Sequence, residues 1–190
     1  MGPFIWDVAF YHAKLRKELL TYAVNPAQGI PAPTFNAGKT THQGIEAGLD
    51  WEIMDGLRLR QTYMWSDFRF KDDVQYGDNR LPVVPEHIYR AELRYRTQSG
   101  FWIAPSVEWS IKDTFVDYMN TLKAPSYSVF NLGLGQEFEG GVSLFVDIRN
   151  VTDERYVSNF TAVTNAQTAS TAVFFPGDER SVFGGVSFTF

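Results

Sequence analysis

The stretch His87-Ile88-Tyr89-Arg90-Ala91-Glu92-Leu93-Arg94-Tyr95-Arg96 decides the fold. In an extended chain His87, Tyr89, Ala91, Leu93 and Tyr95 point one way. Glu86, Arg90, Glu92, Arg94 and Arg96 point the other. Side chains alternate across a strand, so a period of two is a strand signal and not a helix signal. The same pattern recurs on both sides. Gln43, Ile45, Ala47, Leu49 and Trp51 alternate with Gly44, Glu46, Gly48, Asp50 and Glu52. Leu57, Leu59, Tyr63 and Trp65 alternate with Arg58, Arg60, Thr62 and Ser66. Further runs centre on Phe101–Ile111, Phe130–Phe138, Val142–Arg149 and Ser181–Phe190, and a less regular one covers about Phe4 to Leu19. The chain is therefore expected to be all-β, one domain over residues 1–190, with about eight antiparallel strands.

Several of these runs reach ten residues, longer than the usual globular strand and matched to the roughly 9–11 residues that cross a bilayer. The connections alternate too. Met54-Asp55-Gly56, Thr97–Gly100 and Glu139-Gly140-Gly141 are tight; Leu20–Thr41, Lys71–Pro85, Lys112–Pro125 and Thr152–Asp178 are long. Short turns at one rim and long loops at the other describe an up-and-down transmembrane β-barrel. Charge agrees. Arg58, Arg60, Arg90, Glu92, Arg94, Asp147 and Arg149 share one face, and each Arg facing lipid at the midplane would cost about 2–4 kcal/mol. The other face carries aromatics near strand ends, among them Trp51, Tyr63, Trp65, Tyr95, Phe101 and Trp109, as the girdles of such barrels do.

Composition narrows the function. The 190 residues hold no Cys, which excludes disulfides, thiolate metal sites and thiol nucleophiles. A net charge of −5 argues against nucleic acid as a partner. No stretch approaches the roughly 18 uncharged apolar residues of a membrane helix, and the first residues do not read as a signal peptide. His12 and His42 are too separated, and Met64 and Met119 too scattered, to suggest a metal site. Asp147, Arg149 and Glu108 show no convergence with a nucleophile, so no catalytic residue, enzyme activity or cofactor is expected. The glycines at 133, 135, 184 and 185 read as strand glycines under bulky neighbours, not as nucleotide loops.

Four segments carry a resemblance. Asn36-Ala37-Gly38-Lys39-Thr40-Thr41-His42-Gln43-Gly44-Ile45-Glu46 is similar to a loop end leading into a strand of TonB-dependent outer-membrane receptors. Leu81–His87 resembles their Pro-x-x-Pro loop end, and Asn150-Val151-Thr152-Asp153-Glu154-Arg155-Tyr156 their Asn-Leu-x-Asp-x-x-Tyr motif. Phe175-Pro176-Gly177-Asp178-Glu179-Arg180 and the terminal Phe190 resemble the closing Pro-Gly-x-x-Arg and final aromatic strand. The resemblance implies the last third of a 22-stranded barrel, in the outer membrane of a bacterium. The activity it implies is uptake of a ferric siderophore or similar iron complex, with TonB engaged only through a plug domain that this stretch lacks. It also implies that the barrel assembly machinery reads Val186, Phe188 and Phe190, and that outer-membrane lipid surrounds the barrel.

On this reading the long loops face outward and capture the ligand. Tyr76 and Tyr118 could stack on a planar chelator, and Arg80 and Asn120 could attract and hold an anionic complex. Two alternatives stand beside it at this stage: a stand-alone eight-stranded outer-membrane barrel with a structural or adhesive role, and a soluble lipocalin-like barrel for a small apolar ligand.

Overall fold

The computed structural model describes residues 2–24, 33–168 and 173–189. All regular elements there are strands: β1 (Phe4–Thr21), β2 (Thr34–Met54), β3 (Leu57–Phe70), β4 (His87–Arg96), β5 (Phe101–Ser110), β6 (Thr114–Phe115), β7 (Lys123–Ala124), β8 (Tyr127–Glu137), β9 (Val142–Arg149), β10 (Val157–Thr161), β11 (Val173–Pro176) and β12 (Ser181–Phe188). Eight of them form one sheet in the order β1-β2-β3-β4-β5-β8-β9-β12, every neighbour antiparallel. The pairs β6-β7 and β10-β11 are small hairpins inside the third and fourth long loops.

The sheet is open among the described residues: β1 pairs only with β2, and β12 only with β9. It is therefore a stretch of barrel wall and not a small closed barrel. The expected loop Leu20–Thr41 is shorter than the sequence suggested, because β2 already begins at Thr34 and pairs with β1 from Thr21↔Thr34 onward. Asn36, Gly38 and the threonines at 40 and 41 looked loop-like. Ladder hydrogen bonds to β1 override that local preference.

Register aligns the two faces across the whole sheet. One row runs Trp6, Leu49, Gln61, Ala91, Val107, Phe130. The next row toward the tight turns runs Phe4, Trp51, Leu59, Leu93 across β1 to β4 and Pro105, Leu132, Ile148, Val182 across β5, β8, β9 and β12. These side chains project from the sheet; Trp6 and Val182 are each 64% exposed. A continuous apolar band of this size marks a contact with lipid or protein, not water. The opposite face carries the row Asp50, Arg60, Glu92, Ser106, Asn131 and, one step on, Gly48, Thr62, Arg90, Glu108, Val129.

On that polar face the charges neutralise one another. Arg58 binds Asp50 through both Nε (2.5 Å) and Nη2 (2.6 Å), Arg90 reaches Glu108 at 2.7 Å, and Arg149 reaches Asp147 at 3.1 Å. Arg96 pairs with Glu137. Arg94 lies 4.2 Å over the ring of Trp102. That ring covers Gly133 and Gly135, where any Cβ would press against it. At the tight rim Gly56 has φ +74° and its missing Cβ makes room for the carbonyl of Arg96, which accounts for glycine at this turn.

The faces generate a direct test. Leu144 lies on the apolar side and Ser143, one residue away, on the polar side opposite Ser187. Leu144→Arg should reduce insertion into bilayers, by up to about 2–4 kcal/mol, while Ser143→Arg should insert almost normally. Heat-modifiable mobility of the folded barrel reads this out. Equal tolerance at both positions would overturn the assignment of the faces.

Candidate functional site

The described parts of the four long loops leave the sheet at one rim and pack into a single cap. Its core is aromatic. Phe70, Tyr76 and Tyr118 are buried together with Ala37, Leu81 and Ala162, and Phe35, Phe68, Tyr22 and Met119 pack around them. Phe70 and Tyr76 stack at 4.8 Å between ring centroids, and Phe35 meets Tyr118 edge-on at 5.0 Å. Such pairs add about 0.5–1.5 kcal/mol each beyond their burial. Strand ends on β2 and β3 supply Phe35 and Phe70; Tyr76, Leu81 and Tyr118 come from loops. The core thus fastens the second and third loops to the sheet.

Backbone and side-chain hydrogen bonds tie loop to loop. Ala23 N–H donates to Ala162 C=O at 2.7 Å, joining the first loop to the fourth. The Tyr118 hydroxyl donates to the Thr21 carbonyl at 2.8 Å. Asn79 Nδ2 donates to the Tyr118 carbonyl at 3.0 Å, and Tyr118 N–H donates to Val163 C=O at 3.0 Å. Asn120 sits at φ +58° and grips Arg80 from both ends: its Oδ1 accepts from Arg80 N–H at 2.9 Å, and its Nδ2 donates to Arg80 C=O at 2.9 Å. Asn tolerates this left-handed conformation better than most residues.

Asp117 is the centre of this cap and is fully buried. Its carboxylate accepts from Thr121 N–H (2.8 Å), Thr121 Oγ1 (2.6 Å), Leu122 N–H (3.0 Å) and Ala166 N–H (3.1 Å). The first three close the third loop on itself; the fourth locks it to the fourth loop. Nothing in the sequence marks Asp117 as buried, because an Asp in a loop reads as solvated. The run Asp117-Tyr118-Met119-Asn120-Thr121 carries the turn-forming residues that could have signalled it.

The four residues expected at a ligand site are thus brought into one neighbourhood. Tyr76 and Tyr118 face inward, and burial pushes both phenols above their ordinary pKa. Arg80 is mostly covered: Nη2 donates to the Ser66 carbonyl at 2.9 Å and meets Asp67 at 3.0 Å, and Nη1 meets Glu86 at 2.5 Å. Glu86 also receives Lys112 at 3.0 Å. Burial disfavours its charge, but the Lys112 hydrogen bond and the Arg80 guanidinium outweigh that and hold the carboxyl below the usual range. The side-chain polar groups of Arg80, Tyr118 and Asn120 are engaged by protein partners, while Tyr76 is held by ring packing and by its backbone bonds to Asp73 and Asn79.

The fourth loop has its own clasp, built from the two closing motifs. Asn150 is buried at φ +49°; its Nδ2 donates to the carbonyls of Glu154 (2.9 Å) and Asp178 (3.0 Å), and its Oδ1 accepts from Glu154 N–H. Asp153 accepts from Arg180 N–H at 2.9 Å, and Gly177 N–H donates to Tyr156 C=O at 2.8 Å. The Tyr156 ring lies flat on Gly177, where a Cβ would collide with it. Beneath this loop a cavity of about 670 Å³ opens on the polar face, lined by Asp7, Glu46, Arg90, Glu108, Tyr127 and Ser158 among others. Val186 and Phe188 lie on the apolar side of β12 opposite Leu144 and Val142, while Phe190 lies outside the described residues.

Two expectations follow. Asp117→Ala strands three backbone donors and should loosen the cap by about 3 kcal/mol; limited proteolysis should then cut within 112–126 and 162–168 while the strands stay protected. Alkali should act on the same cap. A phenol whose pKa is raised on folding contributes stability that is complete below about pH 10, the unfolded value, and is lost as pH climbs through the folded value. Cap nicking should therefore begin only above about pH 10, and tyrosinate absorbance of Tyr76 and Tyr118 should appear after that of the exposed tyrosines.

Comparison with known proteins meets this geometry. The family model described as "TonB dependent receptor-like, beta-barrel" matches residues 2–151. The ferrioxamine B receptor of Salmonella typhimurium is 27% identical over 166 residues, covering 83% of this chain and 22% of the relative. Among solved structures, the ferric yersiniabactin uptake receptor FyuA from Yersinia pestis superposes with a TM-score of 0.79 at 20% identity, over 100% of this chain and 28% of that one. The siderophore receptor PiuA from Acinetobacter baumannii gives 0.75 at 21% identity, over 97% and 26%. The chain thus spans about a quarter of the length of these proteins. With the alternating faces, the open eight-stranded wall and the one-sided loop cap, the match over residues 2–151 means that the chain belongs to the TonB-dependent receptor β-barrel family of the bacterial outer membrane.

Proposed function

We propose that this segment forms part of the wall and the ligand-capturing rim of a receptor that takes up a ferric siderophore or similar iron complex, energised through TonB. One observation carries the reading beyond family membership: the long loops are knit into a single aromatic-cored cap on one rim. A cap of fixed shape favours capture of a large chelate, because little ordering is left to do on binding. The relatives named for ferrioxamine and ferric yersiniabactin support the same cargo class.

Within this reading Tyr76, Arg80, Tyr118 and Asn120 serve the ligand by holding the rim in shape, since the Tyr76 ring is packed in the aromatic core and the polar groups of the other three are bonded to neighbouring segments. Val186 and Phe188, with Phe190, serve as the signal for barrel assembly; an apolar, lipid-side pair on the last strand supports this. The soluble apolar-ligand barrel is set aside by the family. A closed eight-stranded anchor is disfavoured by the open sheet.

The test is uptake of radiolabelled iron by cells lacking the gene for the full-length protein, supplied as hydroxamate, catecholate and citrate chelates. Loss of one chelate class, restored by the wild-type gene and absent in cells without TonB, is the expected result. Asn120→Ala should weaken uptake of that chelate about tenfold, from the loss of roughly one buried hydrogen-bonded link. Parental uptake of every chelate would overturn the proposal.

A further inference from the structure

The membrane-facing side of β1, β2 and β3 continues well beyond the apolar band, and what it presents there is positive. The last fully apolar row is Phe10, Ile45, Trp65. The next outward row, His12, Gln43, Asp67, is a hydrogen-bonded chain: His12 Nδ1 lies 3.1 Å from Gln43 Oε1, and Gln43 Nε2 donates to Asp67 Oδ2 at 3.1 Å. Above it come Lys14, Thr41 and Arg69, and above those Arg16 and Lys39, with Lys71 N–H donating to the Lys39 carbonyl at 3.0 Å. All five cations are exposed. Their inward neighbours Thr40 and Phe70 are buried to 1%, so alternation turns Lys39, Arg69 and Lys71 outward.

Three of the five are uncompensated. Arg69 pairs with Asp67 at 2.6 Å, and Lys71 with Asp72 and Asp78 at 3.4 and 3.3 Å. Lys14, Arg16 and Lys39 have no carboxylate within 4.0 Å among the described residues. The nearby acids are committed elsewhere: Asp67 to Arg69 and Arg80, and Glu18 to Thr40 and His42. Arg16 and Lys39 stand directly opposite each other in the ladder. Like charges so placed repel and destabilise the pair unless an anion lies between them. Elsewhere on the sheet Arg60 faces Glu92 and Arg90 faces Glu108, and where Arg58 faces Arg94 the carboxylate of Asp50 holds Arg58 and the Trp102 ring covers Arg94.

Height identifies the anion's source. Four residues separate Phe10 from Lys14, about 13 Å along the strand and about 10 Å in height at a barrel strand's tilt. Long Lys and Arg side chains also reach back toward the interface. Their charges therefore lie at the level of lipid headgroups, directly above a surface that acyl chains cover. We infer that Lys14, Arg16 and Lys39, flanked by Arg69 and Lys71, form a binding site for the phosphorylated headgroup of an outer-leaflet lipid. The phosphate oxygens accept from the guanidinium and ammonium groups, and the acyl chains of the same molecule lie on Phe10, Ile45 and Trp65. The site rests on the orientation of the wall and is independent of the cargo.

The test uses the full-length protein purified in mild detergent, titrated with diphosphorylated lipid A, with its dephosphorylated form and with inorganic phosphate. Each cation is worth about fivefold near an anionic surface, so K14Q/R16Q/K39Q should bind diphosphorylated lipid A on the order of a hundredfold more weakly. K14R/K39R should bind as the wild type does, and R155Q/R180Q, at the foot of the fourth loop, should leave binding unchanged. Heat-modifiable mobility establishes that each variant is a folded barrel. The dephosphorylated lipid should bind wild type as weakly as the triple variant binds the phosphorylated one. Wild-type affinity in the folded triple variant would overturn the site. Saturable binding of inorganic phosphate as tight as that of the lipid would overturn the lipid as its occupant.

Discussion

Inside a bilayer no water is at hand to satisfy a backbone N–H or C=O, so every one must find a partner within the protein. That constraint organises this chain. It requires strands long enough to cross, a ladder without gaps through the apolar band, and one register shared by all eight strands. Once register is fixed, so is the destination of each side chain, because a shift of one residue would carry the whole Arg–Glu network into lipid and the Trp, Phe and Leu belt into the lumen. The ion pairs of the polar face are therefore less a source of stability than a guard on alignment. Exposed pairs contribute little to folding energy, but misplaced ones would be very unfavourable.

The eight crossing strands could be read from the sequence because they answer to that constraint. Each apolar residue in the runs 43–51, 57–65 and 87–95 lands on the side that alternation assigned it, and the three tight turns fall where Gly56, Gly100 and Gly140 mark them. The rim is less legible. The upper third of β2 reads as loop because Asn36, Gly38 and Thr40 have no alternation to display; pairing with β1, joined by β3 from Thr40 onward, makes it a strand. Tyr76, Arg80, Tyr118 and Asn120 are residue types suited to a chelate, and they do converge. The polar groups of Arg80, Tyr118 and Asn120, however, are turned to neighbouring segments and the Tyr76 ring is packed in the core, and no local pattern announces which loops will meet. Asp117 was invisible for the same reason, since one of its acceptor bonds goes to a residue 49 positions away.

The two kinds of structure also differ in how they hold together. The wall is held by a repeated ladder and by its solvent, whereas the cap is held by particular groups: one buried carboxylate, one asparagine in a left-handed turn, a cluster of rings. Damage to the wall is thus graded with depth, while damage to the cap is concentrated at a few positions. The cap's bonds also cross between loops, as from Ala23 to Ala162 and from Tyr118 to Val163, so a disturbance in one loop is felt in the others.

The clasp at the foot of the fourth loop has a different kind of consequence. Asn150, Asp153, Tyr156, Gly177 and Arg180 bring the loop's two ends together just above the last two strands of the sheet. Closing a loop has an entropic cost that grows only slowly with its length, and here the closure is made at the base, apart from whatever the loop carries. The stretch between Tyr156 and Gly177 can then be lengthened, shortened or replaced without moving β9 or β12. The motif acts as a cassette socket: lineages could exchange the outward-facing segment, and with it what the rim recognises, while the wall below stays as it is.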